Sequence, residues 1–304
     1  MADLTVELAG AKLRNPTVLA SGIIGTTAGL LKRVADAGAG AVTIKSIGPV
    51  PRKGNPGPVF IEVEGGALNA VGLPNPGVDN ALEELAEAVK ECKSPVIASF
   101  FAGTTKGFGE VAEKLAHAKP ALLEADCSCP NTDRDLGTPF AYDPEAIAMI
   151  VEEVKERTKI PLFVKVAPDT HRVVEVAKAA EKAGADGITA VNTARGMAID
   201  IEARKPVLGN KTGGLSGPAL RPIAVRCVYD IYEAVEIPII GTGGVGSGRD
   251  AVEMMMAGAT AVGIGTAVMH RGIGVFAEVA KEMEEWMDAH GVKRASELTG
   301  LAHE

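Results

Sequence analysis

Short apolar runs recur along the chain, and each is followed by a stretch whose apolar residues fall three and four apart. The runs are "TVLASG" (17–22), "AVTIKS" (41–46), "PVIASF" (95–100) and "ALLEADC" (121–127). They continue with "PLFVKVA" (161–167), "GITAVNT" (187–193), "PIIGTGG" (238–244) and "AVGIGTA" (261–267). The intervening stretches include "PEAIAMIVEEVKERT" (144–158) and "HRVVEVAKAAEKAG" (171–184), whose spacing is that of one helical face. Apolar strands without a polar alternate are buried on both faces, as in a parallel sheet. Strands alternating with helices predict βαβ units, and eight of them predict an α/β fold of the TIM (β/α)8 barrel type. A doubly wound sheet would need a glycine fingerprint after its first strand, and "ASGIIGTTAG" does not match GxGxxG.

Two connections are too long for simple turns. Residues 47–80 follow the second predicted strand and residues 194–219 follow the sixth. Long segments of this kind in a compact domain are usually functional. Both leave the C-terminal ends of strands, the face on which such barrels carry their active sites. No composition shift marks a domain boundary, so residues 1–304 are read as a single barrel domain.

Composition narrows the function classes. Aromatics make up only 4% of the chain, so the core is expected to rest on Ala, Val, Ile and Leu. The net charge of −8 is diffuse, with no basic stripe, which argues against a nucleic-acid partner. No run reaches the length of a membrane span, and Met1 leads into "ADLTVELAG" rather than a charged then apolar leader. A cytoplasmic protein is expected.

Four cysteines, Cys92, Cys127, Cys129 and Cys227, are too few and too scattered for a disulfide framework. The "CSC" pair lacks the spacing of a zinc clip and the geometry of a relaxed bridge, so no metal is expected and free thiols are the default reading. Lys45 and Lys165 end two apolar runs. Inside a barrel a lysine is costly unless it meets an anion or acceptors, although an outward-facing lysine or a Schiff-base nucleophile fits the same pattern. The seventh and eighth runs lead into "GTGGVGSGRD" (241–250) and "GIGTA" (263–267). Such glycines either make tight turns or let backbone amides converge on a phosphate beside the next helix. Asn69, Asn131 and Asn192 are turn formers or, taken together, readers of a planar heterocycle that both donates and accepts.

Taken in order, "IKS", "PRKGNPGP", "GALNAVGLPNPG", "SCPN", "VKVAP", "VNTARGM", "GNKTGGLSGPAL", "IPIIGTGGV" and "AVGIGTA" resemble the dihydroorotate dehydrogenases, specifically the class 1B catalytic subunit. The resemblance runs from "NPTVLASG" to "GTAV", and "GGLSGPA" is especially like class 1B. It implies an enzyme that oxidises dihydroorotate to orotate in pyrimidine biosynthesis, using FMN. By that resemblance Gly243, Gly244, Gly265 and Thr266 hold the FMN phosphate. Lys45 and Lys165 face the flavin, with Ser21, Ser46, Asn192, Ser216 and Gly217 nearby. Asn69, Asn131, Asn192 and Thr193 hold the pyrimidine, helped by Lys45, Asp126 and the backbone around Gly72 and Leu73. Cys129 matches the general base, and Cys127 reads as a packing residue.

Two regions depart from the family pattern. Asp126 stands where the family usually has Asn, and Ser99 and Phe100 occupy a region that often carries one. An ionised aspartate accepts hydrogen bonds but cannot donate them, and it disfavours an anionic substrate nearby. The alternatives carried forward are therefore an oxidoreductase acting on an uncharged dihydropyrimidine and a Schiff-base lyase using Lys165 on a phosphorylated substrate. The class 1B resemblance also implies homo-oligomers and a separate subunit with FAD and a 2Fe–2S cluster, passing electrons to NAD. This chain has no cysteine set for that cluster.

Overall fold

The computed structural model describes residues 2–127, 140–168 and 171–303. Eight parallel strands close a barrel, and neighbours in the barrel are neighbours in the chain. The strands are β1 (Thr17–Leu19), β2 (Ala41–Thr43), β3 (Val96–Phe100) and β4 (Leu122–Asp126). They continue as β5 (Leu162–Val166), β6 (Gly187–Ala190), β7 (Ile239–Thr242) and β8 (Ala261–Ile264), which pairs back onto β1. Every residue of β3, β4 and β5 is buried, as strands enclosed on both faces require.

The predicted runs begin within a residue of the observed strands but extend two or three residues too far at several C-terminal ends. Lys45, Ser46, Asn192 and Gly243 lie beyond the last ladder residues of β2, β6 and β7. There the backbone leaves the sheet to line the site, so the strand-like composition continues where the pairing stops.

The helices cover the outside of the barrel. They are α1 (Ala28–Asp36), α2 (Val78–Glu91), α3 (Thr105–Ala116), α4 (Pro144–Arg157) and α5 (Val173–Lys182), then α6 (Arg221–Tyr232), α7 (Gly248–Met256), α8 (Ala267–Arg271) and α9 (Val275–His290). Their starts follow local chemistry. Asp143 caps α4 by accepting from the amides of Glu145 and Ala146, with Pro144 in the first turn, where no amide partner is needed. Ser247 and Asp250 form a reciprocal capping box on α7. The strip Ile147, Ile150, Val151 and Val154 buries α4 against the barrel.

The two long connections carry structure of their own. Phe60–Val63 and Gly66–Asn69 form a hairpin in the connection after β2. Gly66–Asn69 pairs in turn with Gly213–Ser216 from the connection after β6, which also pairs with Ala194–Gly196. The result is a four-stranded antiparallel sheet joining both connections, with a small core of Leu68, Ala70 and Leu208. Among the described residues no helix is long and apolar enough to cross a membrane.

Candidate active site

A cavity of about 580 Å³ opens between the C-terminal ends of the barrel strands and the sheet built from the long connections. That size lies within the range of small-molecule sites, roughly 300–1,000 Å³. Strand ends deliver polar groups to it: Ser21 after β1, Lys45 and Ser46 after β2, Asp126 on β4, Lys165 on β5, and Asn192 and Thr193 after β6. The long connections add Asn69, Gly72 and Leu73 from one side and Ser216 and Gly217 from the other. Gly243 and Gly244 after β7, and Gly265 and Thr266 after β8, line it as well. Every described residue assigned to the site from sequence therefore borders this one cavity. Cys129 and Asn131 lie outside the described residues.

Beneath the cavity floor, one layer of the barrel interior is polar. Glu124 is 3% exposed, and Lys165 Nζ stands 3.8 Å from its Oε1. Ser99 Oγ donates to the same Oε1 at 3.1 Å, and Thr189 Oγ1 donates to Oε2 at 2.9 Å. Strand register explains the convergence, because Glu124 is directly opposite Ser99 and Lys165 is directly opposite Thr189. Ser46 Oγ lies 2.9 Å from Ser99 Oγ and 3.0 Å from Ser21 Oγ. A hydroxyl has one proton to give, and Ser99 commits its proton to the carboxylate. Ser46 also has Asp126 Oδ2 at 3.5 Å, and Ser21 gives its own proton to Ile44 O at 3.0 Å, so Ser21, Ser46, Ser99 and Asp126 form one polar network that reaches Glu124 through Ser99. Ser99 does not border the cavity; its role is to hold Ser46, which does. Phe100 is buried in the core, edge-on to Phe108 at 5.8 Å.

Asp126 is 7% exposed, and its Oδ1 accepts from Asn192 Nδ2 at 3.1 Å. Asn192 Oδ1 accepts from the Thr193 amide at 2.8 Å, which sets the amide plane from both ends. Asn69, the last residue of its strand, donates to Gly214 O at 3.3 Å. Gly72 and Leu73 both adopt positive φ, +77° and +55°, in a turn tied down by Arg52, whose Nε donates to Gly72 O at 2.7 Å. A leucine in that region is uncommon and is held there by surrounding structure.

The glycines after β7 and β8 both border the cavity, but the first turn of α7 is already filled. Asp250 accepts from the amides of Gly246 and Ser247 at 3.0 and 2.9 Å and pairs with Arg221. The helix start that borders the cavity is that of α8, where Thr266 donates to Ser216 Oγ at 2.8 Å. A short helix after the eighth strand is where phosphate sites of such barrels are commonly built. Gly244, with φ +73°, has no room for a side chain, since a Cβ would fall 2.8 Å from Gly217 O. Gly265 differs: a Cβ there would come no nearer than 3.5 Å to any protein atom. Neither packing nor backbone demands that glycine, and the space it leaves belongs to the cavity. The residues present thus fit a phosphate-bearing, ring-containing cofactor.

Cys127 is 4% exposed within the main apolar cluster, and burial pushes its thiol well above the ordinary value, with adjacent Asp126 adding to the effect. It is a packing residue. Among the described residues no cluster of three His, Cys, Asp or Glu could hold a metal ion. The Lys165–Glu124 ion pair favours the charged amine, the opposite of what a Schiff-base nucleophile requires.

The sequence reading missed Glu124 and Thr189, although an acid two residues before Asp126 in an apolar strand was a readable signal of a polar interior face. It also missed Ile23, Phe60 and Arg271 as cavity wall. Arg271 is the last residue of α8, and nothing local marks it; Gly246 O accepts from it at 2.6 Å, and Glu278 and Glu282 pair with it.

The chain is 49% identical over 302 residues to the dihydroorotate dehydrogenase B (NAD(+)) catalytic subunit of Methanosarcina mazei, covering 99% of this chain and 96% of that protein. Identity to the protein of the same name from Methanocaldococcus jannaschii is 44%, over 99% of this chain and 98% of the relative. Identity to that of Pyrococcus abyssi is also 44%, over 98% and 99%. Residues 3–287 match the family model described as "Dihydroorotate dehydrogenase". On these matches, which span a closed barrel with its site at the strand ends, the chain belongs to the dihydroorotate dehydrogenase family, in its class 1B branch.

Proposed function

We propose that the protein oxidises dihydroorotate to orotate in pyrimidine biosynthesis with FMN held in the cavity at the strand ends. One observation carries the reading: the described residues assigned by resemblance to cofactor and substrate, drawn from both long connections and from seven of the eight strand ends, border one cavity. Gly243, Gly244, Gly265 and Thr266 would hold the phosphate, with Ser216 and Gly217 beside them. Lys45 and Lys165 would face the ring system, with Ser21, Ser46 and Asn192. Bound there, FMN would supply the acceptor for the hydride from substrate C6.

The chain's own residues do the rest. Asn69, Asn131, Asn192 and Thr193 hold the pyrimidine, helped by Lys45 and the turn at Gly72 and Leu73. Both side-chain ends of Asn192 are engaged, by Asp126 and by the Thr193 amide, so its plane is set before substrate arrives. Such positioning lowers the entropic cost of reaching the reactive geometry. Cys129 takes the proton from C5. A free thiol has a pKa of about 8.5, and neighbouring cations favour the thiolate. Lys45 and Lys165 supply positive charge to the cavity in which that proton is removed.

Asp126 favours a second reading. It places an acceptor-only carboxylate in the wall where the family usually has an amide, and a carboxylate repels an anionic substrate. An uncharged dihydropyrimidine avoids that repulsion.

The printed names of the relatives specify a catalytic subunit and NAD(+). By analogy, a partner subunit with FAD and a 2Fe–2S cluster takes the electrons on to NAD, and the chain works in the cytoplasm as a homo-oligomer. The test is reconstitution. Purified protein mixed with FMN and desalted should stay yellow and convert dihydroorotate to orotate, counted by ultraviolet absorbance. A colourless protein refutes the reading.

A further inference from the structure

A barrel interior is ordinarily filled by branched apolar side chains, and a polar layer there is costly unless every group in it is satisfied. In this barrel Glu124, Lys165, Ser99 and Thr189 are all buried in one such layer. Glu124 is its hub. Each carboxylate oxygen takes one hydroxyl proton, from Ser99 at 3.1 Å and from Thr189 at 2.9 Å. Lys165 Nζ stands 3.8 Å from Oε1. Glu124 does not border the cavity, whereas Lys165 and Ser46, which it holds directly and through Ser99, do.

We infer that Glu124 is the positioning residue for Lys165: it fixes where the ammonium sits at the cavity wall and keeps it charged. Donors fixed by strands on either side lock the carboxylate in place, so it presents Lys165 with a fixed counter-charge. A buried amine that loses its counter-charge favours the neutral form. Without Glu124 the positive charge that Lys165 contributes is therefore weakened, while Lys45 still lines the cavity. The inference rests on the reading that this cavity holds the flavin, because the flavin reports the charge.

The test compares the wild type with Glu124→Gln, Lys165→Met and the double variant, each loaded with FMN. The readout is the dissociation constant for sulfite per bound flavin, followed by loss of visible absorbance. Addition of this anion to flavin is stabilised by nearby positive charge. Each single variant should bind sulfite at least roughly tenfold more weakly than wild type, and the double variant should match Lys165→Met within about twofold, as expected for two residues acting through one charge. A merely structural Glu124 would lower flavin content while leaving sulfite affinity per bound flavin unchanged, and that result overturns the inference. Multiplying losses in the double variant, or tighter sulfite binding in Glu124→Gln, also overturn it. If no Glu124 variant retains flavin, Thr189→Val removes one donor from the carboxylate and should weaken sulfite binding in the same direction; an unchanged constant overturns the inference. A wild-type protein that takes up no flavin refutes the cavity reading and this inference together. Flavin uptake with unaltered sulfite affinity in the variants refutes the inference alone.

Discussion

The carboxylate of Asp126 accepts a hydrogen bond from the side-chain amide of Asn192 across 3.1 Å, tying the end of β4 to the segment after β6 at the cavity wall. An amide at position 126 could accept from Asn192 with its oxygen and turn its own donor toward the cavity. Asp126→Asn should therefore lower KM for dihydroorotate by roughly tenfold, about 1.4 kcal/mol. Steady-state rates with the FMN-loaded protein check this, and an unchanged KM would mean that the substrate carboxylate lies away from Asp126.

The two cysteines of the "CSC" pair should separate in kinetics. Cys129→Ser should slow flavin reduction at neutral pH by roughly a hundredfold or more, the scale of lost general-base catalysis. Cys127→Ala should leave that rate largely intact, because its thiol is buried in the core. Stopped-flow bleaching of the two variants decides the matter, and equal losses contradict the assignment.

Cys127 also carries a pH signature. Burial raises its thiol well above the ordinary value of 9.0, so the folded chain keeps a proton that the unfolded chain releases at high pH. Stability from this group is fully present below that ordinary value and is lost as pH rises above it. Thermal melts at neutral and strongly alkaline pH should show a smaller alkaline loss in Cys127→Ala than in wild type.

Gly244→Ala should abolish most flavin retention. The residue sits at φ +73°, and its new methyl would lie 2.8 Å from Gly217 O, displacing two parts of the cavity wall at once. Gly272→Ala is the control, with φ +66° but no atom within 4 Å of the added carbon. It should cost about 1 kcal/mol of stability and leave flavin content unchanged. Flavin absorbance per protein measures both.

Ser99→Ala removes the hydroxyl donor from Glu124 Oε1 and the 2.9 Å contact to Ser46. Leaving a buried polar group unsatisfied costs about 1–3 kcal/mol. For a chain of this size the melting temperature should fall by several degrees, at roughly 2–4 °C per kcal/mol. An unchanged melt would show that the Ser46–Ser99–Glu124 run contributes nothing to stability.

Much of this was legible in the sequence, and the rest was hidden for definite reasons. The barrel could be read because its strands are apolar on both faces and its helices are amphipathic, both local signals. The site positions could be read because glycines, lysines and asparagines fall at strand ends. Long-range pairing could not. Nothing near Leu68 or Leu215 announces that they face each other across two connections. Asp250 ends the glycine-rich stretch 241–250, and its carboxylate closes the start of α7. Glu124 was passed over because its partners Ser99, Lys165 and Thr189 come from three other strands, and register alone brings them together.

The central claim, that this cavity oxidises dihydroorotate, is tested most directly by anaerobic titration of the FMN-loaded protein with dihydroorotate, dihydrouracil and dihydrothymine. Dihydroorotate should bleach the flavin stoichiometrically and yield orotate, with the uncharged rings much slower. Bleaching by the uncharged rings in preference, or none by dihydroorotate, would contradict it.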